Sequence, residues 1–143
     1  MQPTNPLSDN AERKLRVLYA DDVPELREVV RIMLMRDGHQ VEIVPDGALA
    51  WERIKTHPND YDLLITDHHM PQMNGLDLVR HTRTLPYSGK IMVFSSEISN
   101  EVQEKYQQLS VDLVLPKPIY KNMLFKALDA MFGEGHIRPN PSA

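Results

Sequence analysis

Five short apolar runs alternate with five longer segments of helical periodicity, and this alternation constrains the fold more than any other feature. The predicted strands are residues 15–20, 41–44, 63–66, 90–94 and 111–115. The predicted helices begin at residues 24, 47, 75, 98 and 119 and end near residues 38, 58, 84, 109 and 132. Such an alternation predicts an α/β fold, in which helices cover both faces of a mostly parallel five-stranded sheet.

Two of the predicted helices carry apolar stripes that should face the sheet. In the first helix, apolar residues recur at the i, i+3, i+4, i+7, i+8 spacing of an amphipathic helix. They are Leu26, Val29, Val30, Met33 and Leu34. The second helix carries Leu49, Ala50 and Ile54. We expect these side chains to pack against the sheet.

The length of 143 residues is that of one domain. Residues 1–13 are polar and contain two prolines, and we expect them to form a flexible N-terminal arm. Residues 14–133 form the predicted domain, and residues 134–143 a C-terminal tail. We find no internal repeat and no linker to a second domain, so any output should pass through surface contacts with another protein, unless the chain is part of a longer one.

Composition argues against several classes of function. The chain has no cysteine, which excludes disulfides, thiolate chemistry and zinc sites of the cysteine type. No apolar run approaches the ~20 residues of a membrane helix, and the N-terminus lacks the apolar segment of a secretory signal. We therefore expect a soluble, cytoplasmic protein without a membrane partner. The net charge of −4 and the pI near 5.8 argue against nucleic acid as a partner.

Polar side chains follow four of the five predicted strands. Asp21 and Asp22 follow the first strand, Asp67 the third, Ser95 the fourth and Lys117 the fifth. Taken alone, Asp67 is equally consistent with a residue that caps the turn after its strand. Ligands of open α/β sheets bind beyond the carboxyl ends of the strands, however, where the strand order reverses. The four strand ends together therefore predict a binding site.

The side-chain types at this edge indicate phosphoryl chemistry. Three carboxylates in one place repel each other unless a cation lies among them. Oxygen ligands and an open site favour a hard divalent ion such as Mg²⁺. A carboxylate beside Mg²⁺, with an ammonium and a hydroxyl directed at it, is suited to accept a phosphoryl group. The product would be an acyl phosphate, which is readily hydrolysed and therefore suits a switch.

The chain resembles the CheY-like response-regulator receiver domain of two-component signalling, in its stand-alone form, over residues 15–132. The matching pieces are the acidic pair Asp21-Asp22, the run D-H-H-M-P-Q-M-N-G from Asp67, Ser95 after strand four, and Lys117-Pro118 after strand five. The resemblance implies a flavodoxin-like (βα)5 fold with strand order 2-1-3-4-5. It also implies a phosphoacceptor switch that catalyses its own phosphorylation and dephosphorylation, without a separate substrate.

The resemblance assigns a role to each residue at the strand ends. It implies that Asp67 is phosphorylated and also binds Mg²⁺, that Asp22 binds the ion directly, and that Asp21 acts through water. The remaining protein ligand would be the backbone carbonyl of His69. Lys117 would pair with the phosphoryl group, and the Ser95 hydroxyl would hydrogen-bond to it. The implied partners are a sensor histidine kinase or a histidine phosphotransfer protein, and a downstream protein that the sequence does not identify.

Two positions depart from the family pattern. Val114 lies three positions before Lys117, where the family usually has an aromatic residue, so an inward swing of an aromatic ring cannot transmit the signal here. Ser110 occupies a position usually held by glycine, and a left-handed conformation there would cost ~1 kcal/mol. We also predict a cis Lys117–Pro118 bond, which would turn the chain so that the ammonium points back over the strand ends.

Two other readings of the sequence remain open. The Asp67-His68-His69 run could supply metal ligands to a metal-dependent phosphoesterase. Adjacent residues leaving a strand point in opposite directions, however, so both rings on one ion would be unusual. The chain could instead be a receiver-like scaffold that binds a partner without being phosphorylated, although its intact set of acids, hydroxyl and lysine argues against this.

His69 and Glu97 should flank the path of a hydrolytic water. His69 lies two residues after Asp67, and Glu97 two residues after Ser95. If the imidazole and the carboxylate pair across the opening, they should shield the acyl phosphate and lengthen its lifetime. Alternatively, Glu97 could orient the water and speed hydrolysis. We favour shielding.

Overall fold

Ten elements alternate between strand and helix in the computed structural model, which describes residues 14–97 and 99–133. The strands are β1 (Arg16–Ala20), β2 (Gln40–Val44), β3 (Leu63–Asp67), β4 (Lys90–Ser95) and β5 (Leu113–Pro116). The helices are α1 (Pro24–Arg36), α2 (Gly47–Thr56), α3 (Gly75–Thr82), α4 (Asn100–Gln108) and α5 (Lys121–Phe132). The predicted arm (1–13) and tail (134–143) lie outside the described residues.

The strands form one parallel sheet in the order β2-β1-β3-β4-β5, which confirms the predicted fold class. β3 lies at the centre, and all five of its residues are buried. Its last residue, Asp67, is in register with Phe94 of β4, and Ser95 of β4 is in register with Pro116 of β5. The carboxyl ends of the central strands therefore meet at one edge. Within the described residues, no helix has both the length and the apolarity to cross a bilayer.

Each face of the sheet has its own hydrophobic core. On one face, α1 and α5 pack over Tyr19, Ile65 and Phe94, and the Tyr19 and Phe94 rings meet edge to face with centroids 5.7 Å apart. On the other face, α2, α3 and α4 pack over a core that includes Leu64 and Val93. Because helices cover both faces, the sheet edge at the strand ends is the place left for a site.

Two residues of the predicted apolar stripes are exposed, which corrects our expectation. Val29 is 48% exposed and Leu49 is 39% exposed, whereas Val30, Leu34 and the equivalent residues of α2 are fully buried. With 3.6 residues per turn, Val29 lies about 120° around the helix from the midpoint of Val30 and Leu34. Leu49 has the same spacing from Ala50 and Ile54. The buried stripe of each helix is thus narrower than its apolar pattern, and the apolar residue that directly precedes the first buried one faces solvent.

The end of α4 is built around a residue with positive φ. Ser110 has φ 59°, the left-handed conformation considered above. The Arg83 guanidinium, which follows α3, donates from Nε to the Leu109 carbonyl at 2.7 Å and from Nη2 to the Ser110 carbonyl at 2.8 Å. These hydrogen bonds satisfy carbonyl groups that a helix end leaves unpaired. At the other end, the Ser99 hydroxyl caps α4 by accepting from Val102 N.

Candidate functional site

Asp67 ends β3 as a buried carboxylate that is paired with Lys117. The distance from Lys117 Nζ to Asp67 Oδ1 is 3.0 Å. Lys117 follows β5, and its backbone N–H donates to the Ser95 carbonyl at 2.9 Å, which fixes the chain at this point. The Lys117–Pro118 peptide bond is cis, as predicted. Lys117, directly after β5, therefore contacts the end of β3 through its side chain and the end of β4 through its backbone.

The loop after β3 closes tightly beneath Asp67. The Gly75 N–H donates to the His68 carbonyl at 2.9 Å. A Cβ at position 75 would lie 2.5 Å from the Asp67 carbonyl oxygen and 3.0 Å from the Tyr106 hydroxyl. Only glycine therefore lets α3 begin this close to the end of β3.

Asp21, Asp22 and Asp67 form an acidic pocket, in which their carboxylate oxygens lie within 4.8 Å of one another. Asp21 is fully buried and held from two sides. Its Oδ2 accepts from the Tyr19 hydroxyl at 2.6 Å, and its Oδ1 accepts from Val23 N at 2.9 Å. Asp22 is exposed at the rim. The structure therefore brings together the three acids that the sequence singled out.

The acidic pocket carries more negative charge than its one lysine offsets. Burial raises the pKa of Asp67 above its ordinary value, and the negative charges of Asp21 and Asp22 also raise it, although the hydrogen bond from Lys117 acts in the opposite direction. Burial and the Asp21 charge raise the pKa of Tyr19, so its hydroxyl stays protonated as a donor. A donor set made of carboxylate oxygens, with excess negative charge, fits a hard divalent cation such as Mg²⁺.

Ser95 lies at the same edge, but its hydroxyl is engaged by the next turn. It donates to the Glu97 carbonyl at 2.8 Å and accepts from the Glu97 N–H at 2.9 Å. The side chain is fully buried at the end of β4. The hydroxyl would have to leave the Glu97 carbonyl in order to donate to a phosphoryl group.

Two histidines and a glutamate form a second cluster beside Asp67. His69 Nε2 lies 3.2 Å from Glu97 Oε1, which confirms the predicted pairing. His68 is buried, and its Nδ1 lies 2.5 Å from the Tyr106 hydroxyl. Although His68 is buried and His69 exposed, their rings meet edge to face with centroids 4.6 Å apart. Our expectation that neighbouring rings would diverge was therefore wrong. Burial, and to a smaller extent His69, lowers the pKa of His68.

Sequence reasoning missed three residues that shape the site. Tyr19 orients Asp21 from within the core, and the Arg27 guanidinium donates to the Asp21 carbonyl at 2.6 Å. Tyr106 holds His68 from α4. A signal existed for Tyr19, because residues two apart on a strand share a face. For Tyr106 the only local signal was a single aromatic residue on a helix that is polar apart from Val102.

The family model of the response regulator receiver domain matches residues 17–129. The chain belongs to this family. Receiver domains are phosphoacceptor switches of two-component signalling, and this is the function of the domain described here.

Relatives agree with this assignment. The receiver domain is 33% identical over 122 residues to the 3',5'-cyclic-nucleotide phosphodiesterase regA of Dictyostelium discoideum, and 32% identical over 120 residues to the sensory/regulatory protein RpfC of Xanthomonas campestris. These matches cover 82% and 81% of this chain, but only 15% and 16% of the relatives. The chemotaxis protein CheY4 of Vibrio cholerae has a TM-score of 0.76 at 27% identity, covering 82% of this chain and 98% of that one.

The receiver domain contains Val114 where its family usually has an aromatic residue. Val114 lies on β5 opposite Val93 of β4 and is half-buried against the core beneath α4. Tyr106, on α4, is fully buried in the same core and contacts His68, the residue after Asp67. An aromatic hydroxyl therefore lies near the acidic pocket, but it comes from a helix instead of a strand.

Proposed function

We propose that Asp67 is the phosphoacceptor of this receiver domain. The observation that carries the proposal is the Lys117–Asp67 ion pair of 3.0 Å at the end of the central strand, beside the carboxylates of Asp21 and Asp22. An acceptor carboxylate needs a cation at hand to neutralise the incoming phosphoryl oxygens, and Lys117 provides one. The carboxylates of the acidic pocket provide the place for a second cation.

The chemistry follows from what each side chain can do. A carboxylate oxygen of Asp67 attacks the phosphorus in line, the bond from phosphorus to the donor atom breaks, and its electron pair leaves with the donor. Lys117 remains beside the phosphoryl oxygens and stabilises their charge. Asp22, Asp67 and the His69 carbonyl, with Asp21 acting through water, would hold Mg²⁺, which would supply further positive charge beside the same oxygens. Asp21 is held in place for this by Tyr19 and Val23 N.

Signal output would begin at Ser95. When its hydroxyl donates to the phosphoryl group, it gives up the hydrogen bond to the Glu97 carbonyl. The turn after β4 is then free to move, and this turn leads directly into α4. We propose that the changed surface around α4 is what a downstream protein recognises.

The phosphoryl donor is proposed to be a phosphohistidine on a sensor kinase or a phosphotransfer protein. RpfC, in which a similar segment occurs, is a sensory/regulatory protein. Nothing in the family match favours the phosphoesterase reading of the Asp-His-His run, and the phosphodiesterase activity of regA belongs to a protein of which this chain matches 15%.

The test is the intact mass of the protein after incubation with Mg²⁺ and acetyl phosphate. The parent should gain one phosphoryl group, and EDTA should suppress the gain. Asp67→Asn should gain none, whereas Asp60→Asn, at an exposed aspartate paired with His57, should behave as the parent. A phosphoryl group found on Asp67→Asn in the same yield would overturn the assignment, and a parent that takes no phosphate would favour the scaffold reading.

A further inference from the structure

The cluster of His68, His69 and Glu97 has the side chains of a transition-metal site. One ligand atom from each of the three residues lies within 4.8 Å of the others. Among the described residues, the acidic pocket is the other group of this kind, and the two differ in chemistry. The acidic pocket offers carboxylate oxygens alone, which suit Mg²⁺, whereas two imidazoles and a carboxylate suit Zn²⁺.

The spacing of His69 and Glu97 fits a shared ion. His69 Nε2 and Glu97 Oε1 lie 3.2 Å apart. Two ligands that each bind Zn²⁺ at about 2.0–2.1 Å with a tetrahedral angle are separated by roughly 3.4 Å. Both side chains are exposed, so they can close the small difference between the observed and the expected separation without disturbing the core.

His68 has the support that a metal-binding histidine usually has. Its Nδ1 is 2.5 Å from the Tyr106 hydroxyl, and both side chains are buried. When Nδ1–H donates to the hydroxyl oxygen, the lone pair of the neutral ring lies on Nε2, which is then the nitrogen available to an ion. Such a partner on the other ring nitrogen fixes the tautomer and the ring orientation of a ligating histidine.

We propose that His68, His69 and Glu97 bind one Zn²⁺ beside the acidic pocket, with the fourth coordination position open to solvent. The ion would tie the loop after β3 to the turn after β4, the two segments that flank Asp67. The site uses no side chain of the acidic pocket, so its existence does not depend on the phosphorylation of Asp67.

The experiment is calorimetric titration of the full chain with Zn²⁺ in excess Mg²⁺, with Co²⁺ absorption as a second readout. The parent should bind one equivalent. His69→Ala and Glu97→Gln should each weaken this binding by about 10-fold or more, and Tyr106→Phe by roughly 10–100-fold. His57→Ala removes another exposed histidine that lies 3.7 Å from a carboxylate, Asp60, and should leave the affinity unchanged.

Asp67→Asn separates this proposal from the proposed function. The variant should lose phosphorylation yet bind Zn²⁺ and Co²⁺ as the parent does. Loss of Zn²⁺ binding in Asp67→Asn would place the ion in the acidic pocket and overturn the proposal. Unchanged affinity in both His69→Ala and Glu97→Gln would overturn it as well. Because these two residues are exposed, thermal unfolding should show that both variants fold.

Discussion

Carboxylates near the amino end of the sheet are neutralised by neighbouring side chains, whereas those at the carboxyl end are neutralised only in part. At the amino end, Asp62 accepts from Arg16 N at 2.8 Å and from the Arg16 guanidinium at 3.1 and 3.2 Å. Glu42, in the middle of the neighbouring edge strand β2, accepts from the Tyr61 hydroxyl at 2.6 Å and from the Arg53 guanidinium. At the carboxyl end, the acidic pocket of three carboxylates has one ion pair, with Lys117.

The direction of the pKa shifts expresses this difference. Burial acts to raise the pKa of Asp62 and Glu42, but their hydrogen bonds outweigh it and hold both values below the ordinary range. In Asp67 burial prevails over the hydrogen bond from Lys117, and the pKa is raised. The amino end is neutralised by the protein itself, whereas the acidic pocket keeps excess negative charge, which under the proposed function a cation from solution would offset.

Removing Lys117 should have the largest effect at the carboxyl end. In Lys117→Met, no ammonium neutralises the incoming phosphoryl oxygens, and phosphorylation by acetyl phosphate should slow by about 10²-fold or more. The measurement is the initial rate by intact mass. Lys55 provides the control, because its Nζ is also 3.0 Å from a carboxylate, Glu52, on an exposed helix surface. A parent-like rate in Lys117→Met would mean that the ion pair is structural.

Magnesium should stabilise the carboxyl end and leave the amino end unchanged. At a Mg²⁺ concentration ten times its dissociation constant, the free energy of unfolding should rise by about 1.4 kcal/mol, measured by urea denaturation. Asp22→Asn should lose most of this gain. Asp62→Asn should be less stable than the parent yet show the full gain. Equal gains in all three proteins would show that Mg²⁺ acts away from the acidic pocket.

Asp67→Asn should be more stable than the parent at pH 7 without divalent ions, because the raised pKa of Asp67 means that its charged form destabilises the fold. A raised folded-state pKa means that the folded protein is favoured while Asp67 is protonated. That stability is present below the unfolded value near 3.8 and is lost as the pH rises through the folded value. The advantage of Asn should therefore shrink toward pH 4 in urea denaturation. An advantage that is constant with pH would indicate a packing effect.

The smallest expected effect concerns the lifetime of the phosphoryl group. In zinc-free buffer with Mg²⁺, His69→Ala and Glu97→Ala should each shorten the lifetime a few-fold, because their pair lies 3.2 Å apart beside Asp67 and hinders water. The decay of phosphorylated protein between pH 6 and 8 measures this. Slower decay in Glu97→Ala would mean that the carboxylate assists the water instead.

The site acids were predictable from the sequence because each follows a short apolar run. Parallel strands bring their carboxyl ends to one edge, so Asp21, Asp22, Asp67 and Lys117 had to meet once the fold was known. Their separations and the burial of Asp21 were not predictable, since these depend on how far each strand extends.

Contacts across long sequence separations could not be read from local pattern. The hydrogen bond between His68 and Tyr106 joins residues 38 apart and depends on how α4 packs over the end of β3. The exposure of Val29 and Leu49 depends on the rotation of each helix about its axis. The apolar stripe predicts that rotation only to within about a third of a turn.

The Arg83 guanidinium anchors the C-terminal end of α4, whereas nothing comparable fixes its N-terminal end among the contacts described above. Its hydrogen bonds to the Leu109 and Ser110 carbonyls hold the C-terminal end of the helix, so a displacement of the turn after β4 becomes a rotation about that point. The nine residues of α4 span about 13.5 Å at 1.5 Å per residue, and a tilt of about 5° moves the far end by about 1.2 Å. Under the proposed function, a small change at Ser95 would therefore be expressed mainly at the first turn of α4, around Asn100 and Glu101.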